Sequence, residues 1–327
     1  MLSHTTLIRI LYCTALALLL AAAFGLYILL QSKEVVYETV YVEARVEPFP
    51  VGVDPLARTI VETDLQNDLA DENLASEPDT LLETILALFS DRDWYQNLAS
   101  PVSRIVVVWP GQRKEEVTEH IGDILRWNTE ERARFIEIIT TSEPIMTDGT
   151  FYPGKYVTHR GATPEEVAQL LQDAFIENIL DRYQSKVEEV VPLAEALIIA
   201  SLLEREASDF ENMREISGVI WNRLFIDMPL QLDATLQYVR ANNGGTNWWP
   251  AARPADKFTP SPYNTYIHAG LPPAPIGNPS ATAVLAALNP RSTTCVYYFH
   301  DTSKNYYCSE TYEEHVDKLK ATYGRGR

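Results

Sequence analysis

Pro192-Leu-Ala-Glu-Ala-Leu-Ile-Ile-Ala-Ser-Leu-Leu-Glu-Arg-Glu206 is the stretch on which the fold turns. Its apolar residues fall on nearly every face of a 3.6-residue period, so a helix formed here is wrapped by protein and lies central to a domain. Two acids stand at its far end. At about 100° per residue Glu204 and Glu206 lie about 200° apart, so they meet different surroundings. Glu206 stacks on Ile199, Leu202 and Leu203, whereas Glu204 stacks on Leu197, Ala200 and Ser201, a smaller and partly polar surface. A carboxyl held against apolar neighbours favours its protonated form, which suits a general acid that must protonate a leaving oxygen. On spacing alone the competing reading is a helix-end glutamate paired with Arg205, Arg214 or Arg223.

Outward from this helix, Glu211 to Phe225 aligns Ile216, Val219, Ile220 and Leu224 on one face. From about Pro229 the chain is rich in Pro, Asn, Thr and aromatics, which reads as loops and short strands over a helical body. In the other direction, Thr163-Pro-Glu-Glu166 is a helix start: threonine caps, proline suits the first turn and the third-position glutamate reaches back. Residues 101–150 read as a small strand-turn-helix unit, with Ile105-Val-Val-Val-Trp109, a Pro110-Gly111 turn, then Val117, Ile121, Ile124 and Leu125 on one helix face. A second helix opens near Thr129. Residues 31–100 are strongly acidic and read as a juxtamembrane spacer, although a short helical stripe follows Thr80.

Ile10 to Leu30 carries no charge, and 21 residues at about 1.5 Å each span about 30 Å, the thickness of a bilayer core. Arg9 before it and Glu34, Glu38, Glu43 and Glu47 after it favour residues 1–9 as a cytoplasmic tip and an exported body. A cleaved signal peptide ending near Ala21-Ala22-Ala23 is the alternative, but the apolar run is longer than such segments usually are. With 46% hydrophobic and 22% charged residues the 327-residue chain is an ordinary globular mixture, which excludes whole-chain disorder. The net charge of -18 repels phosphate backbones, so nucleic acid is not an expected partner. No C-x-x-C occurs among three cysteines, and His159, His268, His300 and His315 show no ligand spacing, so neither a metal nor a cofactor is expected. Cys295 and Cys308 flank a plausible hairpin turn at Asp301 to Asn305; a disulfide and two free thiols both fit.

Ala200-Ser-Leu-Leu-Glu-Arg-Glu-Ala207 resembles the signature of the endolytic murein transglycosylase family, the YceG-like proteins. Further blocks follow in order: Val219-Ile-Trp-Asn-Arg-Leu224, Met228-Pro-Leu-Gln-Leu-Asp-Ala-Thr235, Ser261-Pro-Tyr-Asn-Thr-Tyr266, Gly270-Leu-Pro-Pro273, Ile276-Gly-Asn-Pro279 and Ala286-Ala-Leu-Asn-Pro290. The resemblance covers roughly residues 190 to 315, and Val108-Trp-Pro-Gly-Gln112 fits the family's strand-Pro-Gly-helix unit. It implies an α+β protein: a single N-terminal transmembrane helix (10–30), a small LysM-like module (101–150) and a mainly helical YceG-like catalytic domain with short strands and long loops (151–327). It implies Glu206 as the catalytic acid, cleaving the MurNAc-GlcNAc bond of peptidoglycan with formation of 1,6-anhydro-MurNAc ends. Gln231, Asp233, Tyr238, Tyr263, Asn264, Tyr266 and Asn278 are then expected to line the glycan cleft. Peptidoglycan strands, the cell membrane and synthases or proteins of the division and elongation machineries are the implied partners, and a bacterial cell membrane with the catalytic domain outside the cytoplasm is the implied place.

Two departures stand out. Tyr306-Tyr-Cys308 occupies the last hairpin where the family tends to show His-x-Phe, and the acidic segment lacks an additional legible LysM-like unit. Asn242-Asn-Gly-Gly-Thr-Asn-Trp-Trp249 reads equally as a saccharide platform or a hydrophobic pin. Two other functions compete: a muramidase in which Asp233 is the second carboxylate, and a non-catalytic glycan-binding scaffold.

Overall fold

The computed structural model describes residues 47–62, 65, 103–141, 148–242 and 247–324, which all fall in one unit of the chain. Ile10 to Leu30 and most of the acidic stretch lie outside them, and among the described residues no helix is long and apolar enough to cross a membrane.

Val53–Asp54 (β1) and Thr59–Ile60 (β2) form a short antiparallel hairpin. Ser103–Val108 (β3) leads into Lys114–Leu125 (α1) and Thr129–Thr141 (α2). Gly154–His159 (β4) then returns antiparallel to β3, in register from Ser103 opposite His159 to Val108 opposite Gly154, and Pro164–Phe175 (α3) follows. The boundary that the sequence suggests at residue 150 therefore falls between two strands of one sheet. A lone β3 leaves a row of backbone groups unpaired, and β4 supplies the partners. Val106, Val117, Ile121, Phe135, Phe151 and Leu171 share a core drawn from both sides of that boundary. The start of α3 is as its sequence dictates: the Glu166 N–H donates to the Thr163 hydroxyl at 3.3 Å, and the Thr163 N–H donates to the Glu166 carboxylate at 2.8 Å.

Ser185–Val190 (α4), Leu193–Glu206 (α5), Phe210–Phe225 (α6), Asp233–Asn242 (α7) and Ala281–Leu288 (α8) build the helical body. The hairpin Tyr297–His300 (β5) and Tyr306–Ser309 (β6) and the helix Tyr312–Tyr323 (α9) close the chain. α5 is the central element, packed by α6 and α8, with Ile199, Leu202 and Leu203 fully buried. Cutting any of these to alanine costs about 2–5 kcal/mol. The last third is more helical than its sequence suggests. α8 is eight residues of Ala, Thr, Val and Leu, nearly all buried and too short and uniformly apolar to show a period, and α9 buries no residue that would mark a face.

Residues 47–62, within the stretch read as spacer, pack on this body. Phe49 is buried in its core, the Gly52 N–H donates to the Leu288 carbonyl at 2.9 Å, and the Asn289 amide donates to the Pro50 carbonyl at 2.7 Å. Cys295 and Cys308 form a disulfide, with Cα atoms 5.7 Å apart, that ties the entry of β5 to β6.

Candidate active site

Glu206 is the last residue of α5, where the helix leaves its apolar packing and its side chain emerges into a partly buried seat. The Tyr298 hydroxyl on β5 donates to Oε2 at 2.9 Å, and the Ala234 N–H in the first turn of α7 acts on the carboxyl electrostatically. Burial pushes the Glu206 pKa above the ordinary carboxylate value; the Tyr298 hydroxyl and the Ala234 N–H pull against that shift, the Asp233 charge adds to it, and Arg205 opposes it. The net effect is a carboxyl that keeps its proton above the usual range, as a general acid requires.

Glu204 has a different office. Its Oε1 accepts from the Ser280 N–H at 2.8 Å and the Ser280 hydroxyl at 2.6 Å, while Ser280 itself caps α8 by accepting from the Ala283 N–H at 3.1 Å. It is a buried brace between α5 and the start of α8. The neighbouring Ser201 hydroxyl accepts from the Ile276 N–H at 3.1 Å, so one face of α5 is fastened to the Ile276–Ser280 loop and the other carries Glu206.

The wall opposite Glu206 is the turn into α7. Thr265 organises it: its carbonyl takes the Gln231 N–H at 2.9 Å, its hydroxyl takes the Leu232 N–H at 3.0 Å, and the same hydroxyl meets that of Thr235 at 3.0 Å. Gln231 is held at φ 54°, a left-handed conformation that a non-glycine residue adopts at a cost of about 1–3 kcal/mol. These bonds aim the amino end of α7, with its partial positive charge, at the Glu206 carboxyl. Arg223 on α6 completes the surroundings. Its Nε donates to the Val296 carbonyl at 2.6 Å and its guanidinium also bonds the Leu230 carbonyl, so one cation fixes both the strand entering β5 and the loop entering α7.

A profile of the YceG-like family matches residues 79–321. The chain belongs to that family. Over 169 residues, 51% of this chain and 31% of the relative, it is 30% identical to the endolytic murein transglycosylase of Streptococcus pneumoniae D39. Over 145 residues, 44% of this chain and 39% of the relative, it is 32% identical to the endolytic murein transglycosylase of Bacillus subtilis 168. The chain thus spans well under half the length of the relatives it matches. A crystal structure of a YceG-like protein from Listeria monocytogenes superposes with a TM-score of 0.57 at 26% identity, over 66% of this chain and 76% of that one.

In this YceG-like chain the residues expected to line the cleft divide into two groups. Gln231 and Asp233 are exposed, Asp233 acting by its charge on Glu206, and Tyr266, partly buried, donates its hydroxyl to Asp233 Oδ1 at 2.7 Å while Lys257 sits 4.6 Å over its ring. The others are turned inward. The fully buried Asn264 spends its amide N–H groups on the carbonyls of residues 256, 257 and 259 and its oxygen on the Tyr266 N–H. Asn278, also fully buried, accepts from the Gly149 and Phe151 N–H groups at 2.9 Å each and donates to the Gln112 carbonyl at 2.9 Å. Tyr238 donates to buried Asp148 at 2.9 Å and packs 4.9 Å from Tyr263. Asn264, Asn278 and Tyr238 hold the walls in place with their polar groups bonded to protein, and Tyr263 is half-buried against Tyr238. Trp249 is a pin: its ring lies 3.9 Å from the Arg205 guanidinium and its Nε1 donates to Glu116 on α1 at 3.3 Å. Tyr298 and Thr265 are the site residues that pattern reading does not single out, and Arg223 figures in it only as a candidate ion-pair partner. Arg223 and Thr265 do stand inside matched blocks, where their position was the available signal.

Proposed function

We propose that this YceG-like protein is a lytic transglycosylase that cuts the MurNAc-GlcNAc bond inside peptidoglycan strands, with Glu206 as its acid and then its base. The observation that carries the reading is the seat of Glu206: burial keeps its proton on above the usual carboxylate range, and the exposed Asp233 is close enough for its charge to act on it. Glu204, the only other acid of the signature, is occupied as a brace. The relatives named as endolytic murein transglycosylases support the substrate class.

In the first step the Glu206 proton passes to the glycosidic oxygen as the bond to the anomeric carbon breaks. The resulting carboxylate takes the proton of the muramyl C6 hydroxyl as that oxygen closes on the anomeric carbon, giving a 1,6-anhydro end and returning the proton to Glu206. Water is not consumed, and a second carboxylate acting on water, as in glycoside hydrolysis, is not required. Asp233, whose charge acts on Glu206, favours one competing reading, a muramidase in which it activates water. Mass spectrometry of peptidoglycan digested by the full chain separates them: anhydro ends are expected, and reducing ends alone would replace the transglycosylase with a hydrolase. We further propose that Ile10 to Leu30 anchors the protein in the bacterial cell membrane with the catalytic body outside the cytoplasm, next to the machinery that extends glycan strands.

A further inference from the structure

The last hairpin of this chain departs from the family pattern, with Tyr306-Tyr-Cys308 where His-x-Phe is expected, and it is also the element that touches Glu206. Tyr298 lies directly across from Cys308 in the β5–β6 register, and Cys308 is bonded to Cys295 just before the strand. Its ring stacks on Tyr306 at 6.0 Å and meets His300 edge-on at 6.0 Å. β5 is further held from below, because Arg223 and Asn222 of α6 donate to the carbonyls of Val296 and Cys295. The phenol is therefore placed by a bonded frame on three sides, and its hydroxyl ends on one oxygen of the carboxyl.

We propose that Tyr298 is a positioning residue for the reaction: its hydroxyl, donating to Oε2, fixes the plane of the Glu206 carboxyl and leaves Oε1 as the oxygen that carries and delivers the proton. A carbonyl-type oxygen that accepts a strong donor is a poor site for the acid proton, so the proton is directed to its partner. The proposal rests on the transglycosylase reading of Glu206 and adds to it a partner supplied 92 residues away. The groups that face the carboxyl are Tyr298 from β5, the Ala234 N–H and Asp233 from α7, Arg223 from α6, Arg205 beside it on α5, and Tyr266. Among them Tyr298 is the side chain bonded to it. A phenol that donates to a carboxylate stabilises the charged form more than the neutral one, so its removal must raise the pKa of the acid, and a stronger donor must lower it.

The test uses three versions of the full chain: the parent, Tyr298→Phe, and a protein carrying 3-fluorotyrosine at 298, whose hydroxyl is more acidic. Tyr307→Phe, on the outer face of the same hairpin, is the control. Release of anhydromuropeptides is followed against pH, and Glu206 is titrated directly through a ¹³C-labelled carboxyl. In Tyr298→Phe, kcat should fall by up to about a hundredfold with KM little changed, and both the alkaline limb and the carboxyl titration should move to higher pH. Fluorotyrosine should move both to lower pH, and Tyr307→Phe should move neither. A merely structural role cannot produce shifts of opposite sign. Coincident titrations in all versions would overturn the proposal, and so would a shift of the same sign in both Tyr298 variants. If the parent released no fragments the transglycosylase reading would fail, while the carboxyl titration would still decide whether Tyr298 governs Glu206.

Discussion

Glu206 and Glu204 stand two residues apart on one helix and are raised in pKa by the same cause, burial, yet their partners give them opposite uses. For Glu206→Gln, cleavage should vanish without loss of fold, since glutamine is isosteric but carries no transferable proton. A folded-state pKa above the unfolded one means that Glu206 favours the fold below the ordinary carboxylate value, and that this contribution is lost as pH rises through the raised value. Glutamine escapes the loss, so the melting temperature of Glu206→Gln relative to the parent should climb between pH 4 and pH 8; a difference independent of pH would contradict the dry seat. Glu204→Gln keeps a carbonyl for the two Ser280 donors, so turnover should stay within about tenfold of the parent, whereas Glu204→Ala orphans those donors and should cost about 1–3 kcal/mol in denaturant melts. Helical spacing says only that the two acids face different sides of their helix. The partners that define their chemistry, Tyr298 and Ser280, come from 92 and 76 residues away, and no local period reaches that far.

At the scale of elements, what the sequence made legible is what repeats or caps: the β3 strand run, the boxed start of α3 and the apolar wrap of α5. What it hid is what depends on another element. β5 places aromatics at consecutive positions, so both faces look alike and the alternation that would mark the face toward Glu206 is absent. Asn264 and Asn278 suit sugar hydroxyls by residue type, and only their burial reveals that they serve backbone instead. The disulfide is the element-scale feature most open to test. It closes a 13-residue separation, which restricts the unfolded chain by about 3 kcal/mol. Replacing both cysteines with serine should lower stability by about that amount. Because Tyr298 sits opposite Cys308, cleavage measured well below the melting point should fall as well; full activity in the double variant would show that α6 alone suffices to hold β5.

For the helical body and the β3–β4 unit to act as one molecule, the Pro110-Gly111 turn has to stay seated on α5 and the Ile276–Ser280 loop. Gly111 rests on Arg205 and Glu204, its N–H donates to the Asn278 carbonyl at 2.7 Å, and the Asn278 N–H returns to the Gln112 carbonyl at 2.8 Å. Gly277 makes the approach feasible: a Cβ there would stand 2.7 Å from the Gly111 carbonyl oxygen, which is backbone and cannot swing aside. The Gly277→Ala variant should therefore push the turn off α5, lowering the melting temperature and displacing Arg205 and its neighbour Glu206 together. Asn278→Ala keeps that backbone fit, and the Gln112 carbonyl keeps its backbone donor, but the variant strands the two buried N–H donors of Gly149 and Phe151, at about 1–3 kcal/mol each. The two variants fail by different routes to the same junction, so both should lose cleavage. Calorimetry should show the single unfolding transition of the parent broaden or divide in both, and a sharp, unshifted transition in either would mean that the junction does not couple the two parts.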